Sequence, residues 1–206
     1  MKINTVRLRV LLGVLGILLP ILVALLYGGL PASISATYYH AQCITPFMIV
    51  LGAASILLIS YRGYTWVDDL ILTCAGVAGL GICLFPTYAT GMVLVGTFAI
   101  PVLTSSTLHN AFAIAFFGLL SFNSLFLFTK SSGEMTKKKK ARNIIYRICG
   151  VGMIASFGIL FLPAFPCQVW LMEAVALFFF GISFLTKADA FPFLFCDTSY
   201  KTKIDD

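Results

Sequence analysis

The stretch LRVLLGVLGILLPILVALLYG (8–28) decides the fold of this chain. It is apolar apart from Arg9, and it is long enough to cross the hydrocarbon core of a bilayer, which takes about 20 apolar residues in an α-helix. Five further apolar runs follow, at 44–61, 70–85, 111–129, 144–162 and 169–186. The pattern predicts an all-α polytopic membrane protein, built as a bundle of six transmembrane helices.

The composition supports the same class of protein. Of the 206 residues, 60% are hydrophobic and 11% are charged, whereas about 25% of the residues in a soluble domain are charged. These values exclude a water-soluble globular fold, and six crossings leave no room for a separate soluble domain. The basic segment MKINTVRLRV precedes the first run as in a signal peptide, but the run is longer than a signal peptide's apolar region. We expect it to be retained as helix one.

The basic residues predict the orientation of the bundle. On the six-helix assignment, all 14 Lys and Arg residues lie before helix one, between helices two and three, between or just inside helices four and five, or after helix six. Because basic residues accumulate on the cytoplasmic side, both termini are expected in the cytoplasm, with 1–189 in the membrane domain and 190–206 as a cytoplasmic tail. The KKKK run (137–140) fits this rule and contact with anionic headgroups. No nucleic-acid partner is needed.

One apolar segment, GMVLVGTFAIPVLTSS (91–106), is too short to cross the membrane and is broken by Pro101. Segments of this length are more often interfacial or re-entrant. The sequence therefore predicts an interfacial helix or, alternatively, a re-entrant segment that acts as a lid over a cavity.

Familiar catalytic and cofactor motifs are absent from the sequence. The six cysteines include no CxxC pair, and there is no HExxH and no phosphate-binding glycine loop. We expect neither a cofactor nor a metal. Cys43, Cys83 and Cys167 are predicted near the outer face, where either one disulfide or free thiols are compatible with the sequence.

Glu173 marks the candidate site, because an ionisable group at membrane depth is costly and usually serves a site or a pair. It lies about one turn inside the outer end of helix six, and it is the only acidic residue predicted outside the cytoplasmic half. Both histidines of the chain fall in the same half. The predicted members of this outer vestibule are Glu173, His40, His109, Tyr39, Ser35 and Asn110.

Three roles for Glu173 remain open at this stage. In the first role, Glu173 is a protonated carboxyl group that forms a hydrogen bond with Tyr39 or Asn110 and only fixes the bundle. In the second, it contacts a ligand. In the third, it is a catalytic or metal-binding group. On the cytoplasmic side, Asp68 and Asp69 begin helix three, as acidic residues favour a helix N-terminus. We predict a structural ion pair between Asp69 and Arg147.

Several segments resemble a type of small bacterial six-span protein. They include PASISATYYH (31–40), with its SIS-x-x-YY pattern after helix one, YRGYTWVDD (61–69), AGVAGLGICLFPT (75–87), HNAFAIAFF (109–117), ARNIIYRICG (141–150) and WLMEAVALFFFGISF (170–184). The SIS segment and the helix count are also similar to the DRAM and Frag type of six-span family, associated with lipid remodelling. The resemblance implies a multi-pass protein of the bacterial cytoplasmic (inner) membrane and favours a lipid-related role.

The sequence leaves three functions open. The first is binding of a lipid, a small amphiphile or a protein partner, including a second copy of the chain, through the outer vestibule. The second is an outer-leaflet lipid-modifying enzyme that uses a histidine as base, although we favour a protein that is not an enzyme. The third is a small proton- or cation-coupled transporter, or an accessory subunit of a membrane complex, that uses Glu173.

Overall fold

Six helices account for the apolar runs of the sequence in a computed structural model that describes residues 5–131 and 136–190. Each helix is long and apolar enough to cross a membrane, which confirms the prediction of six such helices. The predicted cytoplasmic tail (190–206) lies outside the described residues except for Ala190. The helices are α1 (Thr5–Tyr27), α2 (Ala41–Ile59), α3 (Trp66–Leu84), α4 (Val102–Phe122), α5 (Lys137–Ala155) and α6 (Gln168–Lys187).

Segment 91–106 forms a short hairpin and the start of α4, so the predicted interfacial helix is wrong. Strands β1 (Leu94–Val95) and β2 (Ile100–Pro101) pair in antiparallel fashion. Gly96 and Ala99 turn the chain between them with positive φ angles of 73° and 46°, which interrupt helical geometry. α4 then begins directly after Pro101, nine residues before the apolar run at 111–129. The run starts later than the helix because the first turns of α4 are rich in Ser and Thr and are less hydrophobic than the rest.

Two helices are extended by a turn of different geometry. α4 continues through a π-helical segment, Asn123–Leu127, and α5 continues through a 3₁₀ segment, Ser156–Phe161. A further 3₁₀ helix, Ser35–Tyr39, lies between α1 and α2. This last segment is the one that carries the candidate residues after helix one.

The helices form a closed ring in chain order. Each helix packs against its neighbours in the sequence, and α6 returns to pack along α1. Arg9 Nη1 donates a hydrogen bond to the carbonyl of Lys187 (3.3 Å), so α1 begins beside the point where α6 ends. This end of the ring, where basic residues of α1, α5 and α6 surround one cavity, is called the basic end. The opposite end, which carries β1 and β2, is called the hairpin end.

Small residues allow two of the helix contacts to be close. A Cβ atom on Gly13 of α1 would lie 2.9 Å from the carbonyl oxygen of Gly181 on α6, and a Cβ on Gly181 would lie 2.7 Å from that of Gly13. In α3, a Cβ atom on Gly76 would lie 2.5 Å from the carbonyl oxygen of Ser55 on α2. Small residues therefore bring α1 to α6 and α2 to α3, as they commonly do in membrane bundles.

At the basic end, α3 begins with a capping box in which Thr65 and Asp68 bond to each other's backbone. Asp68 is buried and accepts hydrogen bonds from the N–H groups of Tyr64 and Thr65, both at 2.9 Å. Its second oxygen accepts from Lys130 Nζ at 3.0 Å. Asp68 thus joins the start of α3 to the end of α4.

The predicted ion pair between Asp69 and Arg147 is not formed. Asp69 pairs with Arg62 (3.2 Å) and accepts a hydrogen bond from Gly63 N (2.7 Å). These partners lie in the loop directly before α3, so they reach the carboxylate without any contact from α5. Arg147 is exposed.

The two neighbouring aspartates offer a matched test of this end of the fold. We expect Asp68→Ala to lower the free energy of unfolding by about 2 kcal/mol or more, because two N–H groups and Lys130 lose a buried acceptor. Asp69→Ala removes the same charge from a more exposed pair, and we expect a loss below about 1 kcal/mol. Thermal unfolding in detergent measures both. Equal losses would contradict the assigned role of Asp68.

Candidate functional site

Glu173 holds the segment that follows α1. Its Oε2 accepts hydrogen bonds from Ile34 N (2.6 Å) and Ser33 Oγ (2.9 Å), and its Oε1 accepts from Ser35 Oγ (2.8 Å) and Ser33 Oγ (3.1 Å). Ser33 and Ser35 lie on either side of Ile34 just where the 3₁₀ helix begins, so three donors converge on one carboxyl group. The SIS sequence is therefore the partner of the acidic residue on α6.

Hydrogen-bond donors, and not a cation, balance this carboxyl group. No Lys, Arg or His side chain forms an ion pair with Glu173 in the described ranges 5–131 and 136–190. Of the predicted members of the vestibule, Ser35 bonds to Glu173 directly. The predicted bond from Tyr39 or Asn110 to Glu173 is not formed; Ser33 and the backbone of Ile34 take those places.

Tyr39 and His109 instead bind the carbonyl groups that follow α3. His109 Nδ1 lies 2.7 Å from the carbonyl oxygen of Phe85, and because a carbonyl only accepts, Nδ1 carries the proton. Ser105 Oγ donates to Pro86 O (2.7 Å) and Tyr39 Oη donates to Thr87 O (2.6 Å). Burial, together with the neighbouring Tyr38, raises the pKa of Tyr39, so its hydroxyl keeps the donated proton.

These three donors act at the point where a helix must end. α3 stops at Leu84 and Pro86 follows, so the carbonyl groups near this end have no N–H partner from a continuing helix. His109 and Ser105 lie one turn apart on α4, which allows both to reach the same stretch of chain. Tyr39 adds a contact from the 3₁₀ helix. These three hydrogen bonds fix the end of α3 to α4 and to the segment after α1.

His40 does not join the site. It is exposed, occupies the position before the first residue of α2, and packs edge-on against the ring of Tyr27 at 4.7 Å between centroids. The predicted vestibule therefore contains one histidine, His109, and not two. The 3₁₀ turn explains the difference, because it directs Ser33 and Ser35 toward α6 while the chain at His40 has turned to the start of α2.

A cavity of about 380 Å³ lies inside the ring beside these residues. Its volume is in the range of about 300–1,000 Å³ that small-molecule sites occupy. Most of its lining is apolar, contributed by α1, α2, α3, α4, the 3₁₀ segment after α5, and α6. The lining residues are Leu19, Ser33, Ile34, Ser35, Phe47, Leu51, Ile82, Thr87, His109, Asn110, Ala113, Ile114, Phe116, Phe117, Phe157, Leu160, Val169, Met172, Glu173 and Leu177.

The polar and apolar parts of this lining are separated along the helices. Glu173 and Asn110 lie nearer the hairpin end than Leu177 and Phe117, which follow them by about one or two turns on the same helices. The side chain of Asn110 forms no hydrogen bond with any described residue, so its amide is available to a ligand. The cavity thus presents polar groups toward the hairpin end and hydrocarbon toward the middle of the bundle.

Glu173 and His109 have separate partners in the site. The two side chains do not bond to each other, since each is engaged with backbone or serine partners. In the part of the chain that the structure describes, no three His, Cys, Asp or Glu side chains cluster closely enough to hold a metal. Cys43, Cys83 and Cys167 are free thiols, so the alternative of a disulfide among them is not realised.

Sequence reasoning identified Glu173, Ser35, His109 and Asn110, and the structure places all four on the lining of one cavity. It missed Thr87 as a lining residue, because nothing in the sequence distinguishes this residue from other loop threonines. It also missed Ser105, whose position one turn before His109 on a helix was the available signal.

The chain matches no protein-family model, no curated protein and no solved structure.

Proposed function

We propose that this protein binds a lipid or a small amphiphile in the cavity at the hairpin end. The observation that carries the proposal is the cavity itself: it lies between the helices of the ring, is lined mainly by apolar side chains, and has polar groups at one end. A molecule with a hydrocarbon tail and a polar head matches that division. The head group would contact Asn110, Thr87 and the neighbourhood of Glu173.

The orientation of the protein is part of the proposal. The basic residues at one end of the ring favour that end, with both termini, on the cytoplasmic side of the membrane. The cavity would then open toward the outer leaflet. The resemblance to small bacterial six-span proteins supports placement in the bacterial cytoplasmic membrane.

The hydrogen bonds of Glu173 favour binding over the two other functions. Catalysis with His109 as base and Glu173 as its orienting group would need a bond between the two side chains, whereas His109 bonds through Nδ1 to the carbonyl of Phe85 and Glu173 bonds to the SIS segment. Proton- or cation-coupled transport requires a carboxyl group that exchanges its partners, and three donors already saturate this one. A fixed carboxyl at the rim of an apolar cavity fits a binding site.

A pair of alanine residues on α4 allows a direct test. Ala113 lines the cavity, whereas Ala115 lies on an exposed face of the same helix. We expect Ala113→Phe to fill part of the cavity and to weaken binding of a single-chain amphiphile by about tenfold or more, since about 1.4 kcal/mol of lost contact gives that factor. Ala115→Phe adds the same side chain outside the cavity and is expected to leave binding unchanged.

Fluorescence quenching provides the measurement. The chain has two tryptophans, and Trp170 lies at the start of α6 whereas Trp66 lies at the basic end. In a Trp66→Phe background, a lysophospholipid brominated on its acyl chain reports binding near Trp170. Quenching that is saturable in the parent and in Ala115→Phe, but weakened in Ala113→Phe, supports the proposal. Identical titrations for the two phenylalanine variants would contradict it.

A further inference from the structure

A second cavity, of about 620 Å³, lies at the basic end of the ring. It is bounded by α1, the loop before α3, the end of α4, α5 and the end of α6. Five cationic side chains and a single carboxylate line it. The lining residues are Arg9, Tyr64, Thr65, Lys130, Ser131, Lys139, Arg142, Tyr146, Lys187 and Asp189.

The carboxylates near this cavity do not balance its cations. Arg142 pairs with Asp189 at 2.6 Å, and Lys130 pairs with Asp68 at 3.0 Å. Lys138, outside the lining, also approaches Asp189, at 3.6 Å. Arg9, Lys139 and Lys187 have no carboxylate within 4.0 Å among residues 5–131 and 136–190.

Lys187 shows how the fold holds an unpaired cation in place. Its Nζ lies 4.9 Å from the ring centre of Phe128, 5.1 Å from that of Tyr64 and 5.8 Å from that of Tyr146. Ring faces attract a cation without neutralising it. No hydrogen bond or ion pair of this Nζ is found with the described part of the chain, so its N–H groups are available to an anion.

The other cations are also positioned by neutral partners. Arg9 donates to Tyr61 Oη (2.9 Å) and Lys139 donates to Phe128 O (3.0 Å), and neither contact cancels a charge. Burial raises the pKa of Tyr61, an effect that Arg9 partly offsets, so this partner stays neutral. Arg142 Nε is buried without a hydrogen-bond acceptor in the described chain. The cavity therefore has fixed cations and a buried donor that lack an anion.

We propose that this cavity binds a phosphate group, as the head group of an anionic phospholipid or as a soluble phosphate compound. Arg and Lys donors from several segments suit phosphate oxygens, since guanidinium groups form paired hydrogen bonds and ammonium groups supply point charge. Basic pockets between transmembrane helices on the cytoplasmic side commonly take lipid head groups in this way. The exposed apolar face of α5, with Ile144, Ile148 and Val151, offers acyl chains a surface beside the site.

This proposal is independent of what the cavity at the hairpin end binds. The KKKK run, which the sequence explains as a topology signal, contributes only Lys139 to the lining. Of the remaining cations, Arg142 lies on the same helix, and Arg9, Lys130 and Lys187 come from three other segments of the chain. Phosphate binding at this place is thus a property of the folded ring and not of one basic stretch.

The test compares variants that remove one positive charge inside or outside the cavity. Arg142→Gln and Lys139→Gln remove lining cations of α5, and Lys187→Gln removes the cation held among the rings. Arg147→Gln removes the same charge from an exposed position on α5 that does not line the cavity. Thermal unfolding of each variant in lipid-free detergent shows whether the variant folds. If Lys187→Gln does not fold, Lys139→Gln still tests the lining cations.

Two probes distinguish the source of the phosphate. Native mass spectrometry follows phosphatidylglycerol, with phosphatidylcholine as reference, added to delipidated full-length protein. We expect preferential binding of phosphatidylglycerol that weakens about fivefold for each lining cation removed and is unchanged in Arg147→Gln. In a second arm, inorganic phosphate is added in lipid-free detergent, and a rise in melting temperature that is lost in Arg142→Gln identifies a soluble ligand.

The phosphate site is supported if, in either experiment, binding or stabilisation is lost only in the variants of lining residues. Preference for phosphatidylglycerol assigns it to a lipid, and stabilisation by inorganic phosphate alone assigns it to a soluble compound. Equal binding by the wild type and the lining variants in both arms would overturn the proposal. An equal loss in Arg147→Gln would do so as well, because it would show general attraction to the basic end.

Discussion

Glu173→Ala is expected to lower the free energy of unfolding by about 3 kcal/mol, because one backbone N–H and two serine hydroxyls lose their acceptor and each orphaned group costs about 1 kcal/mol or more. The groups concerned are Ile34 N, Ser33 Oγ and Ser35 Oγ. The loss would weaken the attachment of the segment after α1 to α6, where Trp170 N still donates to Ala32 O (3.0 Å). Thermal unfolding in detergent measures the change.

Glu173→Gln separates hydrogen bonding from charge. The amide oxygen can take the place of Oε2, where it accepts from Ile34 N, and the amide nitrogen can donate to Ser35 Oγ, because a hydroxyl also accepts. We therefore expect the glutamine variant to keep most of the stability that alanine loses. If glutamine and alanine were equally destabilising, the negative charge, and not the acceptor geometry, would hold the segment.

Gly181→Val is expected to lower the free energy of unfolding by about 3 kcal/mol or more, because overpacking at a tight contact forces the helices apart. A Cβ atom at this position would lie 2.5 Å from Ile17 Cγ1 and 2.7 Å from the carbonyl oxygen of Gly13. The backbone oxygen cannot move without moving α1. Since α1 and α6 close the ring, the effect should reach both cavities.

Gly52→Val is the matched control for this contact. Gly52 lies inside α2, and a Cβ atom there meets nothing within 4 Å. We expect a change below about 1 kcal/mol in either direction, since valine is a slightly better helix former than glycine. Melting temperatures of the two variants in the same detergent provide the comparison. Similar losses at both positions would mean that the α1–α6 contact is not specially close.

The six helices could be predicted from sequence because each crossing leaves a long apolar run that needs no knowledge of its neighbours. The ends of the helices were harder. The first turns of α4 lie outside the apolar run, since hydroxyl-bearing residues there lower its hydropathy, although they bond within the bundle, as Ser105 does to Pro86 O. The hairpin at 94–101 depends on a turn with positive φ, which hydropathy does not detect.

The candidate site was predicted in part for a similar reason. The cost of an acidic group at membrane depth points to Glu173 without a structure, and the nearby SIS segment supplies serines. Which hydroxyl reaches the carboxyl depends on the 3₁₀ turn, so Tyr39 and His40 were placed wrongly. Asp69 was assigned to Arg147 across the bundle, whereas Arg62, seven residues before it, is the nearer partner. The cationic cavity was not predicted, because its members come from five separate segments.

The central claim is that the cavity beside Glu173 holds an amphiphile, and native mass spectrometry of protein purified from membranes in mild detergent tests it most directly. We predict one retained amphiphile on the wild type and on Ala115→Phe, and its loss from Ala113→Phe, with Gly52→Val as a further folded control. The same adduct retained at equal occupancy by Ala113→Phe would contradict the claim, as would a wild-type protein that retains no amphiphile and binds none when it is added.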